Sequence, residues 1–210
     1  MIKHRFTAGL VTAVAAVAVI AGVFSAPAGA TRQGEGTRPT IAGIVASSGS
    51  GFDTTGSDFD VLLAAVSAAD LVETLGTAGL DVTVWAPKDR AFVRTAQDLG
   101  FTGANSDEAG AWAFLVDALT DIGGGDPIPT LTTILQYHVT PDARLANRVL
   151  ATPAGFPTLA DIDIRHSVGS VILRDEDPDF RNPRLVGPLN VRASNGVVHV
   201  INRVLLPVNL

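Results

Sequence analysis

The chain contains no cysteine, so stability has to come from the core alone, without disulfides. The same absence removes thiol catalysis and thiolate-ligated metal from consideration. Charge is scarce too: only 17% of residues are charged, and 15 basic residues face 21 acidic ones, for a formal net charge of −6. A chain of that sign is a poor nucleic-acid binder, because such binding depends on basic groups that neutralise phosphates. There is no internal repeat. No G-x-S-x-G surrounds Ser48, Ser50 or Ser57, so a nucleophile elbow is missing. Gly49-Ser-Gly51 lacks the flanking pattern of a phosphate or dinucleotide loop.

What is present is hydrophobic: 47% of 210 residues, enough for one good core. Met1 to Arg5 is basic, Phe6 to Phe24 is an apolar run rich in Ala and Val, and Ala28-Gly29-Ala30 supplies an A-x-A cleavage signal. Residues 1–30 are therefore expected to be a secretory signal peptide, with an uncleaved membrane anchor as the alternative. No cysteine follows the run, which excludes a lipoprotein anchor. Cleavage would remove Lys3 and Arg5 and no acid, taking the net charge to about −8. Residues 31–39 read as a flexible leader and 40–207 as a single domain.

The organising stretch is Asn195-Gly-Val-Val-His-Val-Ile-Asn-Arg-Val-Leu-Leu-Pro207. Asn-Gly favours a tight hairpin turn, the apolar residues after it predict a buried strand, and Pro207 should end the ladder. Asp81-Val-Thr-Val-Trp-Ala-Pro87 is its best partner, with inward and outward positions alternating. These two segments are expected in the middle of the sheet. Helices are predicted for Thr40–Ser47, for the segment after Ser57 or Asp58 as cap, for Pro87 onward, for about Asp107–Asp121 capped by Ser106, and for Thr130–Gln136. In the second of these, Phe59, Leu62, Leu63 and Val66 should form the buried stripe. From Tyr137 on the pattern turns to short strands, at Thr158–His166, Ser170–Arg174 and Leu185–Ser194. Helices in the first half and strands in the second indicate an α+β fold.

Three segments together resemble the fasciclin (FAS1) family. Thr83-Val-Trp-Ala-Pro-Lys-Asp-Arg-Ala-Phe92 is similar to its first box, T-x-F-A-P-T-N/D-x-A-F. Ile134-Leu-Gln-Tyr-His-Val139 is similar to its Tyr-His motif, and Ser194 to Pro207 to its second box. Trp85 stands where Phe is usual, and Lys88 where a small hydroxyl residue is usual. The segments 101–126 and 175–183 are longer than expected. The resemblance implies wedge-like β-sheets, a β-sandwich, beside a set of packed helices. It also implies a secreted or cell-surface protein of adhesion or surface contact, non-catalytic; no cofactor is expected, and a monomer is one possible state. Its partner would be an envelope or extracellular-matrix protein or a polysaccharide, with no nucleic acid and no membrane insertion after signal cleavage. In animal members the Tyr-His motif is implicated in receptor contact, which makes Tyr137 and His138 the candidate binding residues. A core role orienting the strand is the competing reading.

Other chemistry reads weakly. His138 and His199 lie in or beside apolar strands, where a histidine more often bonds backbone and stays neutral than ligates metal. An exported hydrolase using either as base is a minor alternative, and an exported small-ligand binder with an apolar cleft is another. Asp175-Glu-Asp177-Pro-Asp179 alternates carboxylates like a calcium loop but lacks the central glycine and the final glutamate. It reads as a solvated acidic loop, no metal site is expected, and calcium should have little effect on stability.

Overall fold

Thr40 opens the first ordered element, and the computed structural model describes residues 38–49, 51–152 and 155–208. The expected signal peptide and nearly all of the leader lie outside the described residues. Helices α1 (Ile41–Ala46), α2 (Asp60–Ala68) and α3 (Val72–Gly76) come first. Then follow β1 (Val82–Pro87), α4 (Asp89–Asp98), α5 (Glu108–Ile122), α6 (Ile128–Tyr137), β2 (Val139–Pro141) and α7 (Ala146–Ala151). Short strands β3 (Arg165–His166), β4 (Leu173–Arg174), β5 (Val191–Ala193) and β6 (Gly196–Ile201) complete the described chain. The class is α+β, as the segregation of helical and extended patterns predicts.

The four-stranded sheet has the order β2-β1-β6-β5, so the two expected segments do lie side by side in its middle. They pair in parallel, with Val82 opposite Gly196 and Pro87 opposite Ile201. β2 and β5 add antiparallel edges, and β3 with β4 makes a separate two-stranded sheet.

β1 does not alternate between core and water; all six residues are buried. The alternation runs between two cores. Val82, Val84 and Ala86 join the larger cluster under α1, α2, α4, α5 and α6. Trp85 joins a second cluster with Tyr137, Phe156, Ile164, Leu173, Ile201 and Leu205. Its indole N–H donates to Thr140 Oγ1 at 2.9 Å, which gives the larger ring a polar partner that Phe would not need.

The β5–β6 turn is Ser194-Asn195, one residue earlier than the Asn-Gly pair suggests. Asn195 works through its side chain. Its Oδ1 accepts from Ile41 N at 2.9 Å, and its Nδ2 donates to Leu75 O and Thr77 O. One buried carboxamide thus ties the turn to α1 and to the end of α3. Gly196 is needed for close approach, since a Cβ there would collide with the Val82 carbonyl and the Ile41 side chain. The ladder ends at Ile201, not at Pro207. Val204, Leu205 and Leu206 are buried without strand pairing, so their amides need other partners.

Two expected caps shift. Asp107, not Ser106, caps α5 by accepting from Gly110 N at 2.9 Å. Neither Ser57 nor Asp58 caps α2. Instead Asp89, at the start of α4, accepts from Asp60 N at 3.2 Å and Val61 N at 2.8 Å. That cross-helix cap rotates α2, so Val61, Leu62, Ala65 and Val66 are buried while Phe59 and Leu63 are only partly so. The predicted strands at 158–166, 170–174 and 185–194 shrink to two or three residues each. Only isolated bridges such as Phe156 to Ile164 extend them.

Candidate functional site

Tyr137 and His138 close the C-terminal end of α6, and both are buried, with exposures of 0% and 3%. The Tyr137 ring sits in the second core, and its hydroxyl donates to Asp163 O at 3.4 Å. Burial raises the phenol above its ordinary pKa. His138 Nδ1 lies 2.7 Å from Ile134 O and Nε2 accepts from Leu205 N at 2.9 Å. Nδ1–H therefore donates, the ring is neutral, and burial lowers its pKa to about 4. His138 caps a helix-end carbonyl on one side and supplies the amide partner that Leu205 lacks on the other.

His199 is enclosed in the same manner. Its Nε2 donates to Arg144 O at 2.8 Å, its Nδ1 accepts from Asn190 N at 3.3 Å, and its ring stacks on Trp85 at 5.5 Å. Burial lowers its pKa as well. With both ring nitrogens committed to backbone, neither His138 nor His199 presents a lone pair to a bound substrate, as a general base must.

The segment 175–183 is not simply a solvated loop. Asp175 and Asp177 are buried, at 7% and 2% exposure. Asp175 Oδ2 accepts from Leu206 N at 3.0 Å, and Asp177 Oδ1 accepts from Asp179 N and Phe180 N. Of the alternation that resembled cation ligation, Asp175 and Asp177 point inward and hydrogen-bond backbone, while Asp179 is exposed. Burial pushes the Asp175 carboxyl up to about 7.

Two features were missed by the sequence reading. One is an open concavity of about 690 Å³ lined by Arg94, Arg174, Arg181, Arg184 and Arg203 with Asn182 and Asn202. Arg174, Arg181 and Arg184 are exposed. Arg203 pairs with Asp98, and burial together with the neighbouring Arg94 lowers its pKa. Arg94 comes from α4 and Arg203 from the segment after β6, while Arg174, Arg181 and Arg184 are spaced through 174–184 with none adjacent, so no compact run of basic residues betrays them.

The other is a carboxylate cluster where the first turns of α2, α4 and α5 meet. Asp53, Asp60 and Glu108 bring oxygens within 4.8 Å of one another, and so do Asp58, Asp89 and Glu108. Burial first, then neighbouring acids, raise the pKa of Asp60. Burial raises those of Asp89 and Glu108 as well. A signal exists in hindsight: Asp60, Asp89 and Glu108 are each the first residue of a helix.

An apolar groove of about 120 Å³ runs between α1, α2 and the β1–β2 face, lined by Ile41, Val45, Leu62, Val66, Leu135 and Val139 among others. That is well below the roughly 300–1,000 Å³ of a small-molecule pocket.

This geometry defines an α+β domain with two cores flanking one mixed sheet, with Tyr137 and His138 of its motif buried. The fasciclin domain model matches residues 57–207, and the chain belongs to the fasciclin domain family. Two proteins of the cyanobacterium Synechocystis are similar. Protein sll1483 is 33% identical over 149 residues, 71% of this chain and 67% of that one. The uncharacterized protein sll1735 is 30% identical over 148 residues, 70% of this chain and 89% of its own length. Among solved structures, a FAS1 domain pair from the insect cell adhesion molecule Fasciclin I aligns with a TM-score of 0.53 at 17% identity. That alignment covers 80% of this chain and about half, 51%, of the insect pair, and establishes the FAS1 fold. The family is generally non-catalytic. No helix among the described residues is long and apolar enough to cross a membrane.

Proposed function

We propose that the protein is a secreted or surface-held, non-catalytic fasciclin domain that adheres to an anionic polysaccharide through its arginine concavity. The observation that carries this reading is the gathering of five arginines around one open depression in a chain of net charge −6. Arginine guanidinium groups are planar forks that match carboxylate and sulfate geometry. Grouped like charges are relieved when an anion binds; at Arg203 burial is the main cause of the lowered pKa, and the neighbouring Arg94 adds to it. Asn182 and Asn202 add neutral hydrogen-bonding groups of the kind that suit sugar hydroxyls. In this reading Tyr137 and His138 hold the scaffold and do not touch the partner. Adhesion in the insect relative named above is in keeping with a contact role. The expected signal peptide, if cleaved, delivers the domain outside the cytoplasm.

The test is retention of the purified domain on immobilised polygalacturonate, with neutral dextran as control. Retention on the acidic polymer should weaken steeply with salt. Arg174→Ser combined with Arg184→Ser, both at exposed positions, should reduce it several-fold without moving the melting temperature. Equal retention on dextran, or none on either, would refute the proposal. A screen with generic ester and glycoside substrates should show no turnover.

A further inference from the structure

We propose that Asp53, Asp58, Asp60, Asp89 and Glu108 form a calcium-binding site at the meeting point of α2, α4 and α5. The two triads share Glu108, and within each triad the candidate oxygens lie within 4.8 Å of one another. Oxygen ligands sit about 2.3–2.6 Å from Ca²⁺, so ligands on opposite sides of one ion are about 5 Å apart. Each triad therefore has the dimensions of a single coordination shell.

Helix starts attract carboxylates in any case, because the first N–H groups and the dipole favour negative charge. That accounts for both oxygens of Asp89, which hold Asp60 N and Val61 N, and for Glu108 Oε2, which holds Asp53 N at 3.0 Å; Asp53 Oδ1 is also in use, accepting from Thr55 N within its loop. Neither role accounts for the others. Asp58 Oδ1, Asp60 Oδ1 and Glu108 Oε1 are buried with no hydrogen-bond partner, in side chains whose residues are only 5% exposed at Asp60 and 1% at Glu108. None of the ion pairs among the described residues reaches them. Several unpaired carboxylate oxygens facing one another out of water are unfavourable unless a cation or protons neutralise them.

The donor set selects the cation. Every candidate ligand is a carboxylate oxygen and none is His or Cys, which disfavours zinc. Asp53 and Asp58 come from the 51–58 loop, so the shell can adapt, as calcium permits and the octahedral demand of magnesium does not. This cluster is distinct from the 175–183 segment, where Asp175 and Asp177 bond backbone amides, and the expectation that calcium leaves stability unchanged was drawn from that segment alone. Because several oxygens are already hydrogen-bonded, the affinity belongs with extracellular modules, a Kd on the order of 10⁻⁴–10⁻³ M.

The experiment is a thermal melt of the whole chain at pH 8.5 in EDTA, then with 5 mM CaCl₂ or 5 mM MgCl₂, supported by calorimetric titration with CaCl₂. The expected result is a rise of several degrees with calcium that EDTA reverses, and a much smaller rise with magnesium. Glu108→Gln, which alters the residue common to both triads, should weaken calcium binding at least tenfold. Asp53→Asn, at an exposed position, gives a second variant that folds even if the first does not, and should weaken it several-fold. No calcium-dependent shift, an equal shift with magnesium, or an undiminished shift in folded variants would overturn the proposal. In the first case the cluster is neutralised by protons alone.

Discussion

Replacing His138 by alanine tests how the C-terminal segment is held. The imidazole meets two otherwise isolated backbone groups, Ile134 O at 2.7 Å and Leu205 N at 2.9 Å. The amide of residue 138 itself goes to Leu135 O. Truncation leaves a buried donor and a helix-end acceptor without partners. One such group costs about 1–3 kcal/mol, and the lost ring adds a packing penalty, so about 2–4 kcal/mol in all is expected. For a domain of this size that corresponds to a fall of roughly 5–15 °C in melting temperature. Tyr137→Phe is the control, since it removes only a 3.4 Å contact to Asp163 O and should cost less than about 1 kcal/mol. The pH dependence carries a second signature. With its pKa lowered from 6.5 to about 4 in the fold, His138 binds fewer protons folded than unfolded across that interval. Its contribution is therefore complete above pH 6.5 and lost as pH falls toward 4, by at most about 3 kcal/mol. Urea denaturation of wild type and His138→Ala at pH 4.5 and 7.5 isolates this effect, because the difference between them cancels the other titrating groups. The stability gap should be wide at pH 7.5 and narrow at pH 4.5. An unchanged melt, or a gap equal at both pH values, would refute the reasoning.

Asp175 should show the opposite slope. Its carboxyl is raised from 3.8 to about 7, so its contribution is fully present below 3.8 and is lost as pH rises to 7. Asp175→Asn keeps an oxygen for Leu206 N and cannot ionise, so in urea titrations it should gain on wild type between pH 4.5 and 7.5. Lys88 is the N-cap of α4 and makes no side-chain cap bond; Lys88→Thr should stabilise by about 0.5–1 kcal/mol, measured by chemical denaturation. Intact-mass analysis of exported protein should find Thr31 as the first residue, and a retained Met1 would favour an anchor.

The sequence exposed what depends on nearby residues. β1 and β6 were readable because each is a compact apolar run, β1 closed by Pro87 and β6 opened by Asn195-Gly196, and the three motifs lie in order along the chain. What could not be read depends on distant partners. Asp89 caps a helix 29 positions earlier, His138 serves an amide 67 positions later, and Asp175 serves one 31 positions later. Such pairings leave no periodicity. Alternating Asp175, Asp177 and Asp179 looked like ligands because the inward spacing of Asp175 and Asp177 has the same period of two as a cation loop, although Asp179 is exposed. The Arg cluster was obscured by averaging, since net charge sums over a surface that the fold then divides unevenly.

The parallel pairing of β1 with β6 joins residues 82–87 to 196–201. A contact of that span closes a loop of more than a hundred residues, which is entropically slow to form. During synthesis the middle of the sheet therefore has an empty position until β6 has left the ribosome. Both cores draw on β6 or the segment after it, so neither can be completed by the N-terminal half alone. A chain ending before Val191 would expose the apolar edge of β1, an invitation to pair with another molecule. The order of the strands makes the emergence of β6 the trigger for folding.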